Sequence, residues 1–173
     1  MTVRAEVLIR PARMEDIEAI AAFSAAMALE TEGRALDRER LSQGTRSLLA
    51  TPAHGFSMMA DQRGATDSQV VGQLMVTYEW SDWRNAVFWW IQSVYVDPMW
   101  RRRGIFRRLH AAVMATAKAD PKVCGIRLYV ESANRVAQEV YRRVGLQLSS
   151  YAVFETDFIL GHRRALADRP DEA

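Results

Sequence analysis

The sequence contains little cysteine and no long apolar run. Cys124 is the single cysteine among 173 residues, so no internal disulfide can form, and this usage is typical of a reducing compartment. No apolar run approaches the roughly 20 residues that a membrane-spanning helix needs. No apolar leader follows Met1 either. These features predict a cytoplasmic protein without a membrane partner.

The charge balance argues against a nucleic-acid partner. Lysine and arginine number 23 and aspartate and glutamate 21, which leaves a net charge of +2 and no large basic field. The arginines cluster at 101–103, 107–108 and 142–143, but aromatic residues are not interleaved with them, so RNA binding is poorly supported. No group of His, Cys and Asp has metal-ligand spacing, and we expect no metal.

Hydrophobic periodicity predicts one domain over residues 1–160 and a polar tail over 161–173. A helix starts at Ile17 and is expected to end at the Glu30–Gly33 sequence. Further helices are predicted over about 37–49, 104–119 and 134–144. Strands are predicted over 5–10, 56–60, 70–78, 86–96 and 124–130, with turns at 61–68 and 80–85 and a last extended segment over 146–158.

The connections predict an α/β (α+β) fold. The strands on either side of the helix at Gly104 should be parallel neighbours, because a helical crossover joins them. Strands earlier in the chain are joined by short turns and should be antiparallel. The expected architecture is a mixed, mostly antiparallel central sheet with helices on both faces.

A basic, glycine-containing turn follows the most apolar strand. That strand ends at Val94–Val96, Asp97-Pro98 stops it, and residues 101–106 then lead into a helix. Such a turn directs backbone N–H groups and the positive end of a helix dipole to one point, which suits a phosphate group. The simpler alternative is a solvated helix start.

Two linked motifs resemble those of the GCN5-related N-acetyltransferases. The first is Val-x-Val-Asp-Pro-x-x-Arg-Arg-x-Gly at 94–104, and the second is Leu-x-Val-Glu-x-x-Asn-x-x-Ala-x-x-x-Tyr-x-x-x-Gly at 128–145. The resemblance covers about residues 6–158. It implies a sheet with a parallel, splayed central strand pair and acetyl-CoA as cosubstrate.

The resemblance also implies which residues bind acetyl-CoA. Backbone N–H groups of the turn would hold its pyrophosphate, and backbone groups of the preceding strand would pair with the pantetheine arm, near Asn134. Asn134 can also serve as a helix N-cap. Phe106 departs from the family, which usually has Gly or Ala there. The residues concerned are Val94, Tyr95, Val96, Arg101, Arg102, Arg103, Gly104, Ile105, Phe106 and Asn134.

The family's tyrosine matches Tyr141, so the resemblance implies that this phenol is a general acid for the departing CoA thiolate. With a pKa near 10 a phenol stays protonated at neutral pH, and such help is worth roughly 10²–10⁴-fold. The alternative for Tyr141 is core packing. The base is open: the central strand offers no carboxylate, and the choices are Glu131, Glu79 or deprotonation in bulk water.

Acidic and aromatic residues in two predicted loops suggest a place for a cationic acceptor. They are Glu30, Glu32, Trp80, Asp82 and Trp83, and the alternative for the tryptophans is an exposed hairpin tip. Exposed tryptophans are also compatible with a homodimer.

The expected function is transfer of the acetyl group of acetyl-CoA to a primary amine, small or peptidic, by direct attack. The alternative is a catalytically silent acyl-CoA-binding sensor or interaction module on the same fold.

Overall fold

The computed structural model describes residues 6–64 and 68–160. Within those ranges, apolar alternation forms the strands and apolar residues at helical spacing form the helices. The strands are β1 (Glu6–Pro11), β2 (Gly55–Arg63), β3 (Ser68–Ser81), β4 (Ala86–Val96) and β5 (Val123–Leu128). The helices are α1 (Ile17–Glu32), α2 (Arg38–Ala50), α3 (Ile105–Ala119) and α4 (Arg135–Arg143).

The strands form one mixed sheet in the order β1-β2-β3-β4-β5. The first three pairings are antiparallel, and β4 pairs with β5 in parallel. The fold class predicted from the sequence is therefore confirmed. The parallel pair lies at one end of the sheet order, with α3 as its crossover.

Helices cover both faces of the sheet, because successive strand residues point in opposite directions. Leu74 of β3 packs in the main core with Leu109 and Val113 of α3. The preceding residue, Gln73, is fully buried on the other face and donates from Nε2 to Oγ of Ser24 in α1 at 3.2 Å.

An arginine with two carboxylate partners joins β1, β2 and the start of α1. Arg10 donates to Asp16 from both terminal nitrogens, at 2.7 and 2.8 Å, and to Asp61 from Nε at 2.5 Å. Asp16 also accepts the backbone N–H of Arg13 at 2.7 Å. Burial alone would raise the pKa of Asp16, but these hydrogen bonds outweigh it and the pKa is lowered.

Several predicted boundaries are wrong: β2 continues to Arg63, into the predicted turn, and β5 ends at Leu128. Two further ones affect the residues expected to bind the acceptor. Helix α1 continues through Glu32 and ends at Gly33, whose left-handed φ of 61° forms its C-cap, so Glu30 and Glu32 are helical and not in a loop. Strand β3 continues to Ser81, so Trp80 lies in a strand. Asp82 and Trp83 are at the hairpin tip as expected, and Trp83 is 82% exposed.

The C-terminal part departs most from the predictions. Residues 146–158 form no strand, and side chains such as Leu148 and Phe154 are largely exposed. Helical spacing of apolar residues predicts that Val136 of α4 and Thr116 of α3 are buried. Val136 is instead 79% exposed, and no residue of α4 is fully buried. Thr116 is also exposed, whereas His110 and Ala117 of α3 are buried. The predicted polar tail lies outside the described residues.

Candidate active site

The turn between β4 and α3 has the backbone shape of an anion site. Arg102 has a φ of 64° and Gly104 a φ of 76°, so two left-handed residues flank Arg103. Helix α3 begins at Ile105, directly after them. Alternation of this kind directs successive N–H groups into a concavity, and the helix dipole adds partial positive charge. A non-glycine residue in the left-handed region costs about 1 kcal/mol or more, which points to a functional role for this turn.

Arginine side chains surround this turn. The guanidinium of Arg103 lies 4.7 Å from the ring centroid of Trp100. A Cβ at Gly104 would lie 3.8 Å from Nη2 of Arg107, so this guanidinium lies over the helix start. Arg107 was not among the residues predicted to bind acetyl-CoA. Its position in the first turn of a helix that follows a glycine was the available signal.

A bulge and a strand separation lie just before the turn. Met75 of β3 pairs with Ser93 but the next residue, Val76, pairs with Ile91, so Gln92 is an extra residue in β4. The register of β4 with β5 ends where Ile91 meets Leu128. Residues 92–96, including Val94 and Val96, extend beyond that last pair. The expected splay of the parallel pair is confirmed, and it leaves an opening beside this part of β4. The bulge at Gln92 lies in the pairing with β3 and was not predicted.

Tyr141 and Phe106 bring α4 to the turn at 101–106. Their ring centroids are 5.7 Å apart and the rings meet edge to face, and Phe106 is also 5.7 Å from His110. Phe106 therefore packs toward α4. Burial raises the pKa of Tyr141, so its phenol remains a proton donor at neutral pH.

The start of α4 is capped as predicted. Oδ1 of Asn134 accepts the N–H of Ala137 at 3.0 Å. Gly145, with a φ of 93°, follows the helix end. A cleft of about 730 Å³ lies between β5, α4 and residues 146–153, and Trp90 and Tyr141 both line it.

The two carboxylates considered as bases lie in different surroundings. Oε1 of Glu79 accepts from Nη1 of Arg127 at 2.8 Å, and Oε2 accepts the indole N–H of Trp90. Both of its oxygens thus have cationic or polar donors. Glu131 follows β5, and its backbone carbonyl accepts the N–H of Asn134 at 2.9 Å.

The residues selected for acceptor binding are not brought together. Glu30 contacts Tyr95, near the C-terminal end of β4, while Asp82 and Trp83 form the hairpin before its N-terminal end. Nine residues separate Ala86 from Tyr95, a span of about 30 Å in a strand. The expectation that one pocket lies between these two segments is wrong.

Among the residues that the structure describes, no group of three or more His, Cys, Asp or Glu side chains could hold a metal ion. Over the same ranges, no helix has both the length and the apolar character to cross a membrane.

Comparison with known proteins gives one family. A sequence model of the acetyltransferase (GNAT) family matches residues 18–146. The crystal structure of a possible acetyltransferase from Clostridium difficile 630 is 40% identical, with a TM-score of 0.80 over 88% of this chain and 98% of that one. No curated protein matches the chain.

Two more distant structures share the fold. An aminoglycoside N-acetyltransferase in complex with CoA is 15% identical, with a TM-score of 0.73 over 92% of this chain and 99% of that one. A ribosomal-protein-alanine N-acetyltransferase from Brucella melitensis biovar Abortus 2308 is also 15% identical, with a TM-score of 0.66 over 88% and 100%.

The mixed sheet, its separated parallel pair and the turn before α3 thus define an acetyltransferase fold. The chain belongs to the acetyltransferase (GNAT) family, which makes it an N-acetyltransferase by class.

Proposed function

We propose that this protein transfers the acetyl group of acetyl-CoA directly to a primary amine. The observation that carries the proposal is the turn at 101–106, where two left-handed residues and the start of α3 form an anion site next to the opening beside β4. The pyrophosphate binds the turn, and the pantetheine arm lies along Val94–Val96. The thioester then reaches the neighbourhood of Tyr141.

In this mechanism the neutral amine attacks the carbonyl carbon of the thioester. The tetrahedral intermediate collapses, the carbon–sulfur bond breaks, and the phenol of Tyr141 donates a proton to the departing thiolate. The amine loses its proton to Glu131 through water or to bulk water. Glu79 is the other candidate carboxylate, and its oxygens accept from Arg127 and from the indole N–H of Trp90.

The first experiment is a panel of primary amines with acetyl-CoA, read by release of free thiol. Amino acids, polyamines, peptide N-termini, lysine peptides and aminoglycosides cover the chemical range. We expect release that depends on both substrates. A protein that binds CoA but acetylates none of these amines would instead favour the silent acyl-CoA-binding module.

Gly104→Val tests the phosphate turn. A β-branched residue is strained at a φ of 76° and adds bulk where the phosphate approaches. We expect affinity for CoA to fall at least about tenfold by calorimetry, or roughly 1.4 kcal/mol. Acetyl-pantetheine, which lacks the pyrophosphate, is the matched control, and its kcat/KM should stay unchanged. Equal loss with both thioesters would contradict a phosphate role.

A further inference from the structure

Three side chains join the end of α1 to the start of the phosphate turn. Oε1 of Glu30 accepts from the hydroxyl of Tyr95 at 2.5 Å, and Oε2 accepts from Nη2 of Arg101 at 2.6 Å. Nε of Arg101 donates to the carbonyl of Val96 at 2.9 Å. We call Glu30, Tyr95 and Arg101 the α1 clamp. It joins residues 65 and 71 positions apart in sequence.

The clamp is anchored to α1 by packing as well as by charge. The rings of Tyr95 and Phe23 lie 5.4 Å apart, and the guanidinium of Arg101 lies 5.3 Å from the Tyr95 ring centroid. Burial and the hydrogen bond to Glu30 raise the pKa of Tyr95 to about 12, so it remains a donor at neutral pH. The Tyr95 hydroxyl lowers the pKa of Glu30, which stays ionised.

These contacts give the side chain of Arg101 a part that differs from the one implied for its backbone N–H, which is to bind the pyrophosphate. Its guanidinium donates toward β4 and α1, and its backbone joins directly to Arg102, the first left-handed residue of the turn. We propose that Glu30 and Tyr95 are positioning residues that hold Arg101, and through it the turn, in the arrangement that binds the pyrophosphate of acetyl-CoA. This inference rests on the proposed function.

Charge alone predicts the opposite result, which makes the inference testable. Glu30 is an anion next to a site for an anion, so its removal should strengthen CoA binding if only electrostatic attraction matters. If Glu30 acts through the clamp, its removal releases Arg101 and weakens binding. Weaker CoA binding after removal of Glu30 would therefore support the clamp, and tighter binding would support electrostatic attraction alone.

The experiment measures CoA affinity by calorimetry for the wild type, Glu30→Ala, Arg101→Ala and the double variant. Since both side chains are partly exposed, we expect each single variant to bind about fivefold more weakly. The double variant should bind no more weakly than either single one, because one contact is lost in all three. Tyr95→Phe should also weaken binding, by a smaller factor. Glu18→Ala is the matched control, since Glu18 lies on the same helix with its side chain 72% exposed, and should leave affinity unchanged.

Kinetics then separate positioning from general damage. Glu30→Ala should raise KM for acetyl-CoA and leave kcat within about twofold, with no change in kcat/KM for acetyl-pantetheine. Glu30→Gln keeps one carbonyl acceptor and should restore part of the affinity. An equal loss of kcat/KM in Glu30→Ala with acetyl-CoA and with acetyl-pantetheine would overturn the clamp.

The outcomes also distinguish this inference from the proposed function. Tighter CoA binding by Glu30→Ala, or losses that multiply in the double variant, would overturn the clamp alone, provided that Gly104→Val still weakens binding. Absence of CoA binding by the wild type would overturn both.

Discussion

Tyr141 lies where α4 meets the turn at 101–106, and its proposed role as the general acid depends on its phenolic proton. Tyr141→Phe keeps the ring and its edge-to-face contact with Phe106 but removes that proton. We expect single-turnover acetyl transfer to fall by about 10²-fold, while CoA affinity and melting temperature stay nearly constant.

The matched control is Tyr78→Phe. Burial also raises the pKa of Tyr78, whose ring packs against Phe56 and Trp89, and none of these three residues lines the cleft that contains Tyr141. This variant should keep normal turnover. Normal single-turnover rates for Tyr141→Phe with a good acceptor would remove Tyr141 from the mechanism.

The pH dependence of turnover gives a second test of the same residue. Because burial raises the pKa of Tyr141 above its ordinary value near 10, the acid stays protonated over the range in which the amine loses its proton. We expect kcat/KM to rise with pH toward the pKa of the amine and to decline only above about pH 10. A high-pH decline that persists unchanged in Tyr141→Phe would contradict the assignment of Tyr141 as the acid.

Single residues were predictable from the sequence where their roles are local. The Asn134 cap and the positive φ of Gly145 depend on residues within one helical turn. The pairing of Glu30 with Arg101 depends on a contact across 71 positions, and no periodicity in the sequence encodes it. For this reason the sequence predicted that Glu30 binds the acceptor and did not predict its contact with Arg101.

Among the elements, β1, β2 and the start of α1 share the Arg10 network, and Asp16 is its most buried member. Asp16→Asn leaves Arg10 without one of its two carboxylates. We expect the free energy of unfolding to fall by about 3 kcal/mol in urea titrations. Glu15→Gln, next to it but with a side chain 71% exposed, should change it by less than about 0.5 kcal/mol.

Acid should remove the same stabilisation in the wild type. The pKa of Asp16 is lowered in the folded protein, so its contribution is complete above the unfolded pKa near 4 and is lost as the pH falls through the folded value. Asp16→Asn should therefore lose less stability than the wild type below about pH 4. Parallel curves for the two proteins would show that Asp16 does not titrate in this way.

Most elements were predictable because their apolar spacing is regular. Helix α1 ran past its expected end because Glu30 and Glu32 are compatible with a helix, and Gly33 is what stops it. Residues 146–158 were expected to be extended from composition, but composition does not supply a partner strand. Val136 of α4 shows the same limit, since an apolar residue at helical spacing needs a surface to pack against.

At the scale of the molecule, the antiparallel β2–β3 and β3–β4 pairs followed from short turns and the parallel pair from a helical crossover. The antiparallel pairing of β1 with β2 did not follow in this way, because α1 and α2 separate the two strands in the chain. The early end of the β4–β5 pairing, at Ile91, was expected only through the family resemblance, and the bulge at Gln92 against β3 was not predicted. They depend on register between strands, which the spacing of one strand does not determine. These two features place the opening beside the turn at 101–106, so the strand register of the sheet determines where the site lies.

Binding of CoA should consequently stabilise the whole domain. At a ligand concentration of 100 times Kd the folded state gains about 2.7 kcal/mol. For a domain of this size that raises the melting temperature by roughly 5–10 °C. Pantetheine at the same concentration should raise it much less, because it lacks the pyrophosphate, and Gly104→Val should lose most of the difference between the two ligands. An equal shift by CoA and pantetheine would mean that the turn at 101–106 does not contribute to binding. The melting temperature of the wild type should also rise with CoA concentration. A nonspecific effect of added ligand on the solvent would not produce this dependence at micromolar levels.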